Sequence, residues 1–216
     1  MKVNFILPGS PVRTALSGLM KVILPFWCKA FYRFEVLGKN NIPDTGPAII
    51  VPKHQYWTDI PFIGLAFHTI QLSYIAKQEL FRFPLISHFL AALGGIPLDR
   101  QSPIKSLDSF RYLSNLLRHG HQVVIFPEGT YYRGVVGKGK SRLISMVLKF
   151  QEAEKRPHPI PFIPVGISYG KRRMRQTVRM SIGTPLYRSQ ESEAKELTRK
   201  IMQSIARLSD MEISPG

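Results

Sequence analysis

One cysteine, Cys28, stands in a chain of 216 residues. A lone thiol excludes an internal disulfide and a zinc site built on cysteines, and it fits a reducing compartment. Acidic residues are also scarce: 14 Asp and Glu stand against 30 Lys and Arg, a formal net charge of +16. Such a surplus points to a polyanionic partner: nucleic acid, an anionic membrane surface, or phosphorylated and acidic substrates. Uncharged apolar runs are short, and none reaches the ~18–20 residues that span a bilayer. Val3 to Leu7, before Pro8-Gly9, is too short for the apolar core of a secretory leader, so none is expected. Internal repeats and long linkers are missing. What is present is length for one sizeable domain and an ordinary 44% of hydrophobic residues.

The most informative stretch is Lys53-His54-Gln55-Tyr56-Trp57-Thr58-Asp59. It follows Ala48-Ile49-Ile50-Val51, an apolar run that reads as a buried strand. It precedes Asp59 to Phe67, which reads as a helix. Thr58 is a candidate N-cap, and Pro61 is tolerable in the first turn, where its missing N–H has no partner. A His and an Asp five apart lie on opposite faces of a strand and about 140° apart on a helix. They meet only if the chain turns between them, and this sequence predicts that turn. Asp59 at a helix N-terminus is favoured as a carboxylate. It could hold one nitrogen of His54 and leave the other as a base, with the nucleophile supplied by a substrate. The plain alternative is a capping Asp beside an unrelated loop histidine.

Residues 11 to 33 are the most apolar region, interrupted by Arg13, Lys21, Lys29 and Arg33, with Pro25 expected to divide it into two short helical pieces. Phe26, Trp27 and Phe31 beside Lys29 and Arg33 suit a membrane interface, where rings and basic heads anchor at headgroup level. Residues 1–33 therefore read as a monotopic anchor and 34–216 as the catalytic domain; the alternative is a helix packed on its own domain. Strands are expected at 34–38, 48–51, 72–76, 122–126, 162–167 and 178–183, with a short strand and turn over 94–100. Helices are expected at 84–93, 103–117, 143–150 and 191–208. This alternation indicates an α/β fold with a largely parallel central sheet flanked by helices.

In such sheets, ligands bind beyond the carboxyl ends of the strands. His54 to Asp59, Asp99-Arg100 and Glu128-Gly129-Thr130 all fall at such ends. Arg100 suits a phosphate or carboxylate fork, or else pairs with Asp99 or Glu128 at the surface. Glu128 reads as an acceptor for a ligand hydroxyl or as the structural partner of a basic residue. Gly129 permits close backbone approach. Lys171-Arg172-Arg173 and Arg175 form a basic hairpin loop, either a headgroup contact or a solvated turn.

These motifs resemble the glycerolipid acyltransferase family, in particular its 1-acylglycerol-3-phosphate acyltransferases. Four blocks carry the resemblance: His54 to Asp59 as His-x4-Asp, Gly95 to Arg100, Phe126 to Thr130 as Phe-Pro-Glu-Gly-Thr, and Pro161 to Val165 with Pro164 at its centre. The resemblance implies a glycerol-phosphate-acyltransferase-like fold and acyl transfer from acyl-CoA or acyl carrier protein to a lysophospholipid, giving phosphatidic acid. It implies His54 as base and Asp59 as its orienting partner. It implies Arg100, Glu128, Gly129, Thr130, Arg133 and Pro164 around the acceptor, with no metal or redox cofactor. An anionic membrane surface at the cytoplasmic face is the implied setting, and nucleic acid is not an expected partner. One departure stands out. Family members often place Arg directly after the third block; here Tyr131-Tyr132 intervene before Arg133, which opens the alternative of another lysolipid acceptor, such as a lyso-aminolipid.

Three further readings differ in class. A nucleic-acid-binding protein is suggested by charge alone, without a recognition motif. A hydrolase would use the same pair on water; its esterase version needs a Gly-x-Ser-x-Gly nucleophile turn, and none is expected. A silent membrane-binding domain would leave the His54–Asp59 spacing without a use.

Overall fold

The computed structural model describes residues 8–67, 71–98, 107–172 and 174–215. In chain order the elements are α1 (Pro11–Phe31), β1 (Tyr32–Leu37), β2 (Ala48–Pro52), α2 (Asp59–Ala66), β3 (Ser73–Lys77), α3 (Pro84–Ala92) and β4 (Gly95–Leu98). Then follow α4 (Leu107–Arg118), β5 (Gln122–Val124), α5 (Ser141–Ala153), β6 (Phe162–Arg172), β7 (Gln176–Ile182) and α6 (Ala194–Ser209). The strands form one sheet in the order β1-β7-β6-β2-β5-β3-β4. β6, β2, β5, β3 and β4 are mutually parallel, while β7 turns back antiparallel on β6 and β1 runs alongside β7.

β2 lies at the centre and is buried along its whole length, as its unbroken apolar run requires. Alternate side chains serve two layers. Ile49 and Val51 join the core under α4, α5 and α6. Ala48 and Ile50 join the core with Cys28 of α1 and Phe62, Ile63 and Ala66 of α2. The chain leaves β2 through α2 toward β3, and leaves β5 through α5 toward β6 on the other side of β2. The neighbouring strands β2 and β5 therefore mark the switch point, where the two connections leave over opposite faces of the sheet.

Gly166 fixes how closely α6 can pack. A Cβ there would stand 2.3 Å from the Leu208 carbonyl carbon, so only glycine lets the helix lie on β6.

One sequence expectation is corrected. Pro25 does not divide the N-terminal region: α1 runs unbroken from Pro11 to Phe31 with Pro25 inside it. An internal proline costs about 3 kcal/mol through its missing hydrogen bond and its crowding of the turn before it. Burial of Cys28 and the packing of Trp27 on Phe62 and Tyr32 offset that cost. Ser10 caps the helix start through its hydroxyl, and Pro11 occupies the first turn.

Candidate active site

β2 ends at Pro52, α2 begins at Asp59, and the six residues between them form the predicted turn. Asp59 folds that turn from within. Its Oδ2 accepts the backbone N–H of Gln55 at 2.6 Å and of Tyr56 at 2.8 Å. The same oxygen lies 3.1 Å from His54 Nδ1. Oδ1 accepts the Tyr169 hydroxyl at 2.6 Å. Asp59 is fully buried, so its charge is held by donors instead of water. A carboxylate facing Nδ1 favours the tautomer with its proton there, which leaves Nε2 with a lone pair. Thr58 stands at the N-cap position but caps nothing through its side chain; its hydroxyl meets that of Tyr169 at 3.0 Å.

The His54 ring is held on two sides. Phe126, at the start of the β5 loop, stacks on it at 3.9 Å between centroids, and Tyr131 leans over it at 4.2 Å. Tyr131 is half exposed, so it stands between the ring and solvent.

Beneath the histidine lies a buried ion pair. Lys53 Nζ donates to both Glu128 oxygens, at 2.8 and 3.0 Å, and to the carbonyls of His54 and Tyr132. Glu128 also accepts the backbone N–H groups of His54 and Gly137. Both side chains are fully buried. Burial pushes the Lys53 ammonium below the usual lysine range, and Glu128 and then Asp59 oppose that shift. This corrects Glu128 as a substrate contact: its oxygens are occupied by the protein, and it is the structural partner of a basic residue. The pair locks the loop after β2 to the loop after β5.

The other expected site residues divide. Gly129 is buried with φ +73°, a left-handed conformation that glycine adopts without strain. Thr130 and Arg133 are exposed on the same loop, and the Arg133 guanidinium sits 5.0 Å over the Tyr56 ring. Pro164 is buried inside β6 opposite Val51, part of the sheet and not of a ligand surface. Arg100 and Asp99 lie outside the described residues, as does Arg173. Phe26, Lys29, Phe31 and Arg33 are exposed, whereas Trp27 is half buried against Tyr32, Phe62 and Trp57. Arg175, in the β6–β7 connection, donates to the carbonyl of Lys29 at 2.8 Å. Among the described residues no group of His, Cys, Asp or Glu gathers as metal ligands would.

Sequence reasoning missed Lys53, Gln55 and Tyr169. A lysine directly after a fully apolar strand is an available signal for Lys53. Tyr169 stands 110 positions from Asp59, and nothing local marks it. Sequence reasoning also passed over a match to Gly-x-Ser-x-Gly at Gly166-Ile167-Ser168-Tyr169-Gly170, which corrects the expectation that the string is lacking. The string lies in the middle of β6, with Ser168 registered against Arg179 of β7. It is extended strand and not the sharp strand-to-helix turn that exposes a serine nucleophile. Close packing against Leu208 and Thr177 accounts for its two glycines.

A histidine oriented by a buried carboxylate, at the switch point of a mainly parallel sheet, defines an α/β protein suited to general-base chemistry on a bound hydroxyl. The family model described as Acyltransferase matches residues 33–168. The chain belongs to the acyltransferase family. A 1-acyl-sn-glycerol-3-phosphate acyltransferase of Bacillus subtilis is 35% identical over 96 residues, covering 44% of this chain and 47% of the relative. A lyso-ornithine lipid O-acyltransferase of Pseudomonas aeruginosa is 32% identical over 128 residues, covering 59% and 47%. The chain thus spans about half the length of these relatives. The crystal structure of PlsC, the 1-acyl-sn-glycerophosphate acyltransferase from Thermotoga maritima, shares the fold with a TM-score of 0.68 at 24% identity, over 92% of this chain and 80% of that one.

Proposed function

We propose that the protein transfers an acyl chain from a thioester, carried by coenzyme A or acyl carrier protein, to the free hydroxyl of a 1-acylglycerol-3-phosphate, giving phosphatidic acid. The observation that carries this reading is the buried Asp59 holding His54 Nδ1 at the switch point of a family-matched fold. His54 Nε2 takes the proton from the acceptor hydroxyl as its oxygen attacks the thioester carbonyl. The carbon–sulfur bond then breaks, and the imidazolium returns its proton to the departing thiolate. Asp59 keeps the ring oriented and stabilises the transient imidazolium. Arg100 and Arg133 supply cations for the acceptor phosphate, and the Gly129–Thr130 backbone borders it. Glu128 acts from below, through Lys53, on the loop that carries His54.

The protein docks on the cytoplasmic face of an anionic membrane, where its acceptor and product reside. Among the described residues no helix is long and apolar enough to cross a membrane. Val12, Leu19, Val22, Ile23 and Phe26 form an exposed apolar stripe along α1. α3 touches α1 and exposes Leu85 at 88%, Phe83 at 64%, and Ile86 and Phe89 by about half. Lys21 and Lys29 on α1, and Arg82 two residues before α3, are exposed and suit anionic headgroups.

A second acceptor is favoured by one observation. Tyr131 fills the place of the family's frequent arginine and covers His54 with a ring, not a cation. A lysolipid without a phosphomonoester, such as a lyso-aminolipid, fits that surface better, and the Pseudomonas relative is named for such an acceptor.

The test is acyl transfer in vesicles, with labelled lysophosphatidic acid and either acyl-CoA or acyl carrier protein as donor. Wild type is expected to give labelled phosphatidic acid, and His54→Ala to give none. Turnover retained by His54→Ala removes the histidine as base. Transfer only to a lyso-aminolipid supplied in competition selects the second acceptor. Free fatty acid without a lipid product indicates hydrolysis instead.

A further inference from the structure

We infer that Tyr169 is a positioning residue for the His54–Asp59 pair, acting through its hydroxyl on the carboxylate oxygen that does not face the histidine. The inference rests on the acyl-transfer reading above and deepens it. Asp59 has two oxygens with separate duties. Oδ2 takes Gln55 N, Tyr56 N and His54 Nδ1. Oδ1 takes the Tyr169 hydroxyl at 2.6 Å, a short bond to a charged acceptor. Without that bond the contacts of Oδ2 still hold the carboxylate against Nδ1, but Oδ1 loses the donor that fixes it and shares its charge.

Tyr169 is itself fixed. It follows Ile163, Val165 and Ile167 on the same face of β6, so its ring packs where α2 covers the sheet. Tyr56 meets it edge-on at 4.8 Å and Phe62 at 6.3 Å. Gln55, on the dyad's own turn, donates to the carbonyl of Ile167, so β6 also holds the turn from two residues earlier. Burial and the neighbouring Asp59 push the Tyr169 hydroxyl far above its ordinary pKa. It therefore remains a donor throughout the working range of a histidine base. The Thr58 hydroxyl beside it donates to the phenol oxygen, whose single proton is spent on Asp59.

The charge consequence has a definite sign. A donor on Oδ1 withdraws part of the carboxylate's charge from the histidine. Removing it leaves more negative charge opposite Nδ1, stabilises the imidazolium, and raises the pH needed to free the base. Among the described residues, the other charged and titratable groups around the pair include Lys53 and Glu128 beneath it, Tyr56 on its turn, Tyr32 beside Tyr169, and Tyr131 and Arg133 on the β5 loop. All of these stay in place when only the Tyr169 oxygen is removed.

The experiment is the pH profile of kcat/KM in the vesicle assay for wild type, Tyr169→Phe, Asp59→Asn and the double variant. Tyr169→Phe is expected to lose about tenfold in kcat/KM, the scale of one hydrogen bond to a charged group. Its acidic limb is expected to move to higher pH. In the Asp59→Asn background the same change is expected to cost nothing further, because the carboxylate through which it acts is gone. Fluorotyrosine at position 169 keeps the ring and strengthens the donor, so it is expected to move the limb to lower pH; it serves also if Tyr169→Phe does not fold. An unmoved limb in the variant that folds, or losses that simply add in the double variant, would overturn the inference and leave a packing role alone. Turnover retained by His54→Ala would instead sink the underlying reading, so the two failures are distinguishable.

Discussion

At the residue scale, the site is built on two buried carboxyl groups with different uses. Asp59 holds the histidine, and Glu128 holds Lys53. The second pair sits in the protein interior without solvent, where breaking one partner costs more than the pair contributes. Glu128→Gln and Lys53→Met are each expected to destabilise the fold by about 3–5 kcal/mol, read by urea unfolding. A loss below 1 kcal/mol in both would show that the loops after β2 and β5 hold together without the ion pair. His54→Ala is expected to cost less, about 1–2 kcal/mol, because Asp59 keeps the Gln55, Tyr56 and Tyr169 donors when the ring is lost. The two classes of variant separate loss of chemistry from loss of the frame that carries it.

At the scale of elements, α1 both packs and presents. Arg13 is buried and reaches the Leu72 carbonyl and the Ser73 hydroxyl. Its opposite stripe is open, and α3 continues that surface. Removing residues 1–33 would therefore strip the core as well as the proposed docking face, and point substitutions are the cleaner probe. Phe26→Ser with Phe31→Ser, and separately Phe83→Ser with Phe89→Ser, are expected each to weaken vesicle binding at least tenfold. Each exposed ring that leaves a bilayer forfeits about 1.5–3 kcal/mol of burial. Activity on detergent-dispersed substrate is expected to persist. Unchanged sedimentation with vesicles for both pairs would remove this face as the docking surface.

At the scale of the whole molecule, the net charge of +16 acts as a long-range field that suits the proposed anionic membrane and phosphate-bearing substrates. Binding to anionic vesicles is expected to fall as salt rises, because the Debye length shrinks from roughly 10 Å at 0.1 M to about 3 Å at 1 M. Binding to zwitterionic vesicles is expected to be weaker and nearly flat with salt. Equal binding to both at low salt would mean that the apolar stripe alone docks the protein. The same charge also suits nucleic acid, and the family match favours the lipid reading proposed above.

Local chemistry in the sequence was enough for the strands, the strand-to-helix turn at His54, and the placing of His54 and Glu128 at one sheet edge. Apolar runs must be buried, and parallel strands return their loops to the same side. The sequence also over-read Pro25 as a break, since a local propensity does not reveal the packing that outweighs it. Only the tertiary structure decided which oxygen of Asp59 faces the histidine and what holds the other one. Only it decided that Glu128 is consumed by Lys53, and that Gly166 to Gly170 is strand and not an elbow. These outcomes depend on partners tens of residues away, from Lys53 to Glu128 and from Asp59 to Tyr169, and no window of sequence contains both members of such a contact.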